Sequence, residues 1–291
     1  MSRSFNEKQI KQIMSMNKAG FSKKLGQNFL TDYGVIEDIV FGAGICEEDH
    51  VIEIGPGIGV LTTALADYAG FVTAVEIDKK LIPILKQTLT GTDNVRIVND
   101  DILKTDINQL IEAAKANNPE LTSVKIVGNL PYYITTPIIM KLIESNIPAE
   151  SITIMMQKEV ADRLTAEAGK KAYGGITVVV QYYCTTEVVT QVSADCFVPK
   201  PKVDSTVLKL NIRKEKPVNL INEEAFFEII RLAFGQRRKT LLNCLSGYRD
   251  MSKEEVSGIL NDVGIDPVRR GETLTIEEYA EVANAFSRID R

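Results

Sequence analysis

No uninterrupted apolar stretch in the 291 residues approaches the roughly 18 that a membrane-spanning helix needs, so the chain is expected to be soluble. The opening segment, MSRSFNEKQIKQIMSMNKAG, has no compact apolar region followed by a small-residue cleavage site, which argues against export. Cysteine is sparse. Cys46, Cys184, Cys196 and Cys244 include no closely spaced pair, so neither a metal knuckle nor a redox motif is expected, and reduced thiols in the cytoplasm fit the pattern. Histidine occurs once. His50 precedes the first apolar strand run, at the end of the sheet away from the expected site, and is expected at the surface. Internal repeats and low-complexity tracts are also missing.

What is present is a length suited to a main domain with a smaller attachment, and a charge that is unevenly spread. The net charge is −5, yet residues 1–30 carry six Lys or Arg against one acid, and residues 199–250 carry eleven against six. Two basic regions on an acidic body suggest a localised phosphate-binding face, because binding depends on local potential rather than on the total. Solvated surface is the plainer explanation of the same charges.

Residues 51–55, 72–76, 95–98, 124–127 and 152–156 are short runs rich in Val and Ile, separated by segments of helical spacing. This alternation predicts an α/β fold with a mostly parallel sheet, whose ligands bind at the carboxyl tips of the strands. Further strands are expected at 176–183 and 206–212. Past Lys216 and Pro217 the pattern turns helical: Asn222 precedes Phe226, Ile229, Ile230 and Ala233, which share one face. Ser252 with Glu255 and Thr275 with Glu278 have the spacing of capping boxes. The organisation expected is a basic arm and cofactor lid over 1–30, a cofactor-binding domain over 31–200, and the last core strand with a small helical domain over 201–291.

The segment VIEIGPGIGVLTTAL places Gly55, Gly57 and Gly59 between a strand and a helix, where backbone can approach a ligand closely. Such a turn also occurs in dinucleotide-binding folds. Glu76 ends the second strand nineteen residues after Gly57, where a carboxylate can accept from both ribose hydroxyls, an arrangement open to NAD as well. Asp101, after the third strand in VRIVNDDIL, is placed to accept from an adenine amino group. Its neighbour Asp100 reads as a turn former or a solvated acid, and Glu53, inside VIEIG, as an acid that ties down loop amides rather than a ligand.

The fourth strand runs into NLPYY. Asn129, Leu130, Pro131 and Tyr132 are similar to the [DN]PP[YF] pattern of methyltransferases acting on amino nitrogens of bases. The lone pair of an adenine N6 is delocalised into the ring, so the amine needs acceptors that draw it toward tetrahedral geometry. The Asn129 side-chain oxygen and the Leu130 carbonyl can each accept one N–H. Pro131 stiffens the turn, and Tyr132 can stack on a base withdrawn from its neighbours. No strong base is required. Glycine turn, ribose acid, adenine acid and Asn-Leu-Pro-Tyr, in that order on successive strands, resemble the class I, Rossmann-like methyltransferases that use S-adenosyl-L-methionine.

KKLGQNFL at 23–30, EIGPGIGVLT, VEID, NLPYY, FVPKPKVDSTV at 197–207 and FGQRRKTL at 234–241 together resemble the KsgA-type ribosomal RNA adenine dimethyltransferases, over nearly the full chain. The resemblance implies dimethylation of the N6 amino groups of two adjacent adenines near the 3′ end of small-subunit ribosomal RNA, in a pre-ribosomal particle, by a cytoplasmic monomer without a metal. It implies that Asn28 and Leu30 close over the cofactor, that Gly55 and Asp101 touch it, that Glu76 holds its ribose, and that Asn129 meets both its methionine moiety and the target amine. Phe197 would stack on the adenine opposite Tyr132. Tyr133 receives no role beyond core packing. Arg237, Arg238 and Lys239, expected on a helix, would meet RNA phosphates, with Lys23, Lys24, Lys200 and Lys202 around the pocket mouth. Two alternatives remain: an Erm-type enzyme acting on large-subunit RNA, which the last third of the chain resembles less, and a non-catalytic RNA-binding factor, which the intact NLPYY and cofactor acids disfavour.

Overall fold

The parallel strands form where β-branched runs lie, and most helices where apolar residues recur every three or four positions. The computed structural model describes residues 5–17, 19–22, 25–236 and 238–289, which leaves Lys23, Lys24 and Arg237 outside the described residues. The chain begins α1 (Glu7–Met16), β1 (Phe29–Leu30), α2 (Tyr33–Ala43), β2 (Asp49–Ile54), α3 (Val60–Ala66), β3 (Phe71–Val75), α4 (Ile82–Thr88) and β4 (Val95–Val98). It continues with α5 (Ile107–Asn117), β5 (Ser123–Asn129), α6 (Thr135–Glu144), β6 (Ser151–Gln157), α7 (Lys158–Leu164), α8 (Gly175–Tyr183) and β7 (Cys184–Val192). The last elements are β8 (Phe197–Val198), β9 (Ser205–Ile212), α9 (Glu223–Gly235), α10 (Leu241–Leu245), α11 (Lys253–Asp262) and α12 (Ile276–Ile289).

Seven strands form one sheet in the order β4-β3-β2-β5-β6-β9-β7. The pairings among β4, β3, β2, β5 and β6 are parallel, and β9 runs antiparallel to β6. β2 is buried at all six positions, as expected of an inner parallel strand covered on both faces. The strand order reverses beside β2, with β3 on one flank and β5 on the other, so the switch point of the sheet falls at the carboxyl end of β2. α1 is capped by Asn6 and seats Ile10 and Met14 in the core of this unit. The basic arm therefore contributes apolar packing as well as charge.

His50 departs from the sequence expectation. It lies inside β2, 1% exposed, with Nε2 2.8 Å from Thr73 Oγ1 on β3. The strand starts earlier than its Val-Ile run and is flanked on both sides there, which buries the ring, and burial lowers its pKa to about 4. Beside it Asp49 accepts from Lys125 Nζ at 2.7 Å, from Cys46 N at 2.8 Å and from the Ser123 hydroxyl. Burial pushes the Asp49 carboxyl up, but the hydrogen bonds from Lys125 and Ser123 outweigh it and hold it below its ordinary value.

The boundary expected near residue 200 is corrected. The sheet unit ends at Ala161 and resumes over Thr186–Ile212, while the second unit takes Asp162–Thr185 and the chain from Arg213 onward. The reason is α8, which the sequence suggests is a strand. Its β-branched run ITVVVQYY coils because Thr177, Val178 and Tyr182 are buried on one helical side, with Tyr182 5.3 Å from Phe226 between ring centroids. Gly174 N donates to Thr177 Oγ1 at its start. In the same unit Asn222 caps α9, and both expected boxes form: Ser252 with Glu255, and Thr275 with Glu278. Tyr173, Phe226, Tyr279 and Phe286 are its large buried side chains.

Candidate active site

The site grows from the carboxyl ends of four adjacent strands. After β2 the chain turns through three glycines of positive φ, at +71° for Gly55, +62° for Gly57 and +91° for Gly59. At Gly57 a side chain is excluded twice over: the backbone is left-handed, and a Cβ would stand 2.7 Å from the Phe29 ring. The same residue donates its N–H to Glu76 Oε2 at 3.0 Å, and Asp78 N donates to Glu76 Oε1 at 2.7 Å. Glu76, at the end of β3, is thus a fixed carboxylate 4% exposed. Burial pushes its carboxyl up, and the bonds from Asp78 and Gly57 pull the other way without cancelling the rise.

After β4, the two adjacent acids differ in their neighbours. Asp100 is exposed and accepts from Asp101 N at 2.8 Å and Thr105 Oγ1 at 2.9 Å, the contacts of a turn former; the Thr105 bond holds its carboxyl below its ordinary value. Asp101 accepts from Leu103 N through Oδ1. Both line the same cleft as Gly55, Glu76 and Asn129.

Asn129 closes β5, and its Nδ2 donates to the Asn28 carbonyl at 3.2 Å. The amide nitrogen is thereby engaged by the Asn28 backbone, which leaves the oxygen as the acceptor for the cleft that Asn129 lines. Among the described residues no donor reaches the Leu130 carbonyl. The segment before β1 is itself fastened: Asn28 Nδ2 donates to Gly26 O at 3.2 Å, and Gln27 Nε2 to Asp78 Oδ2 at 2.9 Å, two residues beyond Glu76. Leu30, on β1, pairs with Phe197 on β8. Tyr132 lines the cleft and its hydroxyl meets that of Ser205 at 2.8 Å.

A glycine turn, two strand-end acids and an Asn-Leu-Pro-Tyr turn facing one cleft narrow the chemistry, and the comparisons with known proteins agree on it. The profile of the family described as ribosomal RNA adenine dimethylase matches residues 18–282. The chain belongs to the ribosomal RNA adenine dimethylase family. A ribosomal RNA small subunit methyltransferase A from Clostridioides difficile is 48% identical over 287 residues, covering 99% of this chain and 98% of its own. A dimethyladenosine transferase from Plasmodium falciparum has a crystal structure that superposes with a TM-score of 0.75 at 25% identity, covering 89% of this chain and 98% of that one. The 23S ribosomal RNA methyltransferase ErmE superposes at 0.68 with 28% identity, covering 90% and 100%.

Of the residues expected to serve this family's chemistry, the structure brings Asn28, Leu30, Gly55, Glu76, Asp101 and Asn129 to one cleft, with Leu130 and Tyr132 in its wall. Phe197 is not in that lining. Its ring is 3% exposed and packs in the core of the sheet unit, turned there by the two-residue ladder between β1 and β8. Lys200 is exposed and ion-paired with Asp195, and Lys202 is exposed. Of the basic triplet, Arg238 and Lys239 are not helical, contrary to expectation, and Arg237 lies outside the described residues. α9 stops at Gly235, Lys239 N bonds back to Gln236 O at 2.8 Å, and Thr240 caps α10, so Arg238 and Lys239 project from an exposed turn.

Glu53, Ile77 and Tyr133 are among the lining residues to which the sequence assigns no part in the cleft. Glu53 lines it, 1% exposed, with Oε2 free of any partner among the described residues; burial raises its carboxyl to about 8. It does not tie down loop amides. An acid between Ile52 and Ile54 in a strand buried on both faces was the available sign. Ile77 and Tyr133, 50% and 61% exposed, also line the cleft, so Tyr133 is not a core residue. Nothing in the sequence distinguishes Tyr133 from its neighbour Tyr132.

Proposed function

We propose that the protein transfers methyl groups from S-adenosyl-L-methionine to the N6 amino groups of two adjacent adenines near the 3′ end of small-subunit ribosomal RNA, during ribosome biogenesis. The residues of the cleft fit that cofactor. Glu76 is a rigid acceptor for ribose hydroxyls, the Gly57 backbone lies where no side chain could, and the unpartnered Glu53 oxygen gives a donor-bearing ligand something to meet. Gly55, Asp101, Asn28 and Leu30 complete the enclosure. When bound, the cofactor supplies an electrophilic methyl group on a sulfonium.

The remaining chemistry belongs to the chain. The observation that carries the proposal is the Asn129–Asn28 bond, because it turns the Asn129 oxygen into a fixed acceptor at the end of β5. That oxygen and the Leu130 carbonyl each accept one N–H of the target amine, which aims the nitrogen lone pair. Acceptors organised before the substrate arrives need no rearrangement in the transition state. As the nitrogen takes the methyl group the sulfonium carbon–sulfur bond would break to leave a thioether, and the nitrogen, made acidic by the transfer, would pass its proton to water, so no catalytic base is needed. Tyr132 supplies the stacking face; Phe197, buried in the core of the sheet unit, lies outside the cleft lining.

The RNA is proposed to be held by phosphate contacts from Arg237, Arg238 and Lys239, and from Lys23, Lys24, Lys200 and Lys202. The name of the 48%-identical relative supports the small-subunit target over the large-subunit one carried in the name of ErmE. No described helix is long and apolar enough to cross a membrane. The test is to map methylated adenines in ribosomal RNA from cells lacking the protein, and to restore them with purified protein and cofactor. Loss confined to two adjacent small-subunit adenines is expected; loss on large-subunit RNA instead would overturn the assignment.

A further inference from the structure

The motif FVPKPKVDSTV contains a serine that the chemistry above leaves idle. Ser205 opens β9, is fully buried, and pairs with Gln157 at the carboxyl end of β6. Because β9 runs against β6, its first residue arrives at the end of the sheet where β5 finishes, beside the NLPYY turn. There Ser205 Oγ meets the Tyr132 hydroxyl at 2.8 Å. The residue before it is pinned as well. The Asp204 side chain accepts from Ala194 N at 2.9 Å, and its carbonyl accepts from Lys158 N at 3.0 Å. A buried hydroxyl on an anchored strand therefore holds the far end of a half-buried ring.

We propose that Ser205 is a positioning residue that fixes the position and tilt of the Tyr132 ring before the target adenine enters, so that the base stacks on a preset surface. The inference rests on the reading of Tyr132 as the stacking face. A ring whose tip is free to swing would have to be ordered by the incoming base, at about 0.5–1.5 kcal/mol for an immobilised side chain, or roughly two- to tenfold in rate. Burial raises the Tyr132 phenol above its ordinary pKa, so the hydroxyl pair persists at neutral pH.

The test is a double-mutant cycle of Ser205→Ala and Tyr132→Phe, with Tyr132→Ala alongside, assayed on small-subunit particles from cells lacking the protein. Each of the two conservative changes removes the same hydrogen bond, from opposite sides, so one suffices if the other does not fold. The expected result is a two- to tenfold lower kcat in each, no further loss in the double variant, and unchanged KM for particles and Kd for S-adenosylmethionine. Wild-type kcat in Ser205→Ala and Tyr132→Phe, with Tyr132→Ala impaired, overturns the positioning role alone. Wild-type kcat in Tyr132→Ala overturns the stacking reading beneath it. Multiplying losses in the double variant show two unrelated effects and also overturn the proposal.

Discussion

The Asn129 amide and the Asn28 carbonyl, 101 residues apart in sequence, are joined across 3.2 Å. The residue proposed to act on the substrate is thus oriented by the backbone of the segment proposed to cover the cofactor. Asn129→Ala should abolish turnover, by on the order of a hundredfold or more, since it removes an acceptor used in the transition state. The fold should survive. Single-turnover methylation of substrate particles, with circular dichroism as a control, checks this; near-normal rates would refute the mechanism.

Glu76→Ala should weaken binding of S-adenosylmethionine at least tenfold, because two charge-assisted hydrogen bonds are lost, each worth about 1.5–3 kcal/mol. The change also strips Gly57 N and Asp78 N of their acceptor. Calorimetry with S-adenosylmethionine and with NAD measures the effect, and the wild-type protein should bind only the former.

Glu53 predicts a pH dependence of stability. Its carboxyl sits near 8 in the folded chain and near 4.5 when unfolded, so its favourable contribution is complete below about pH 4.5 and is lost as the pH rises to about 8. At about 1.4 kcal/mol per unit, the loss is on the order of 4 kcal/mol. Glu53→Gln should flatten that slope and raise the urea midpoint at pH 8. Parallel midpoint curves for the two proteins between pH 5 and 8 would show that Glu53 is ionised without penalty.

The opposite sign applies at the other end of the sheet. Asp49 is held below its ordinary pKa, so its contribution is present above that ordinary value and is lost as the pH falls through the folded one. Removing its buried partner leaves an uncompensated charge, a change that typically costs about 3–5 kcal/mol. Lys125→Met should therefore be strongly destabilised at pH 7 and much less so near pH 3, by thermal or denaturant unfolding.

Replacing Arg237, Arg238 and Lys239 together with alanine should weaken binding to specific and unrelated RNA alike, since phosphate contacts do not read bases. The plot of log affinity against log salt should become shallower by about two to three units if all three reach phosphates. An unchanged slope would reduce the triplet to solvated surface.

Much of this was legible because each strand of the parallel sheet is a Val-Ile run and each strand-end ligand follows one directly. The cofactor acids and NLPYY could be placed by counting strands. What escaped depends on tertiary surroundings. ITVVVQYY reads as a strand until Phe226 is set against Tyr182, and His50 reads as surface until β3 and β5 are known to flank it. Phe197 carries a family motif that says nothing of the ladder to Leu30 that buries it. Glu53 needed the knowledge that both faces of β2 are covered.

The antiparallel strand β9 lies inside the sheet, between β6 and β7, yet it is among the last of the seven strands to be made. Until β9 has left the ribosome, from Ser205 opposite Gln157 to Asn211 opposite Ser151, β6 has no neighbour on that side and offers unpaired amides and carbonyls to any passing strand. A nascent chain halted anywhere from residue 160 to 204 should therefore be sticky and open to proteases along β6. One halted well past 212 should not, which makes completion of β9 the step at which synthesis of this protein becomes safe from aggregation.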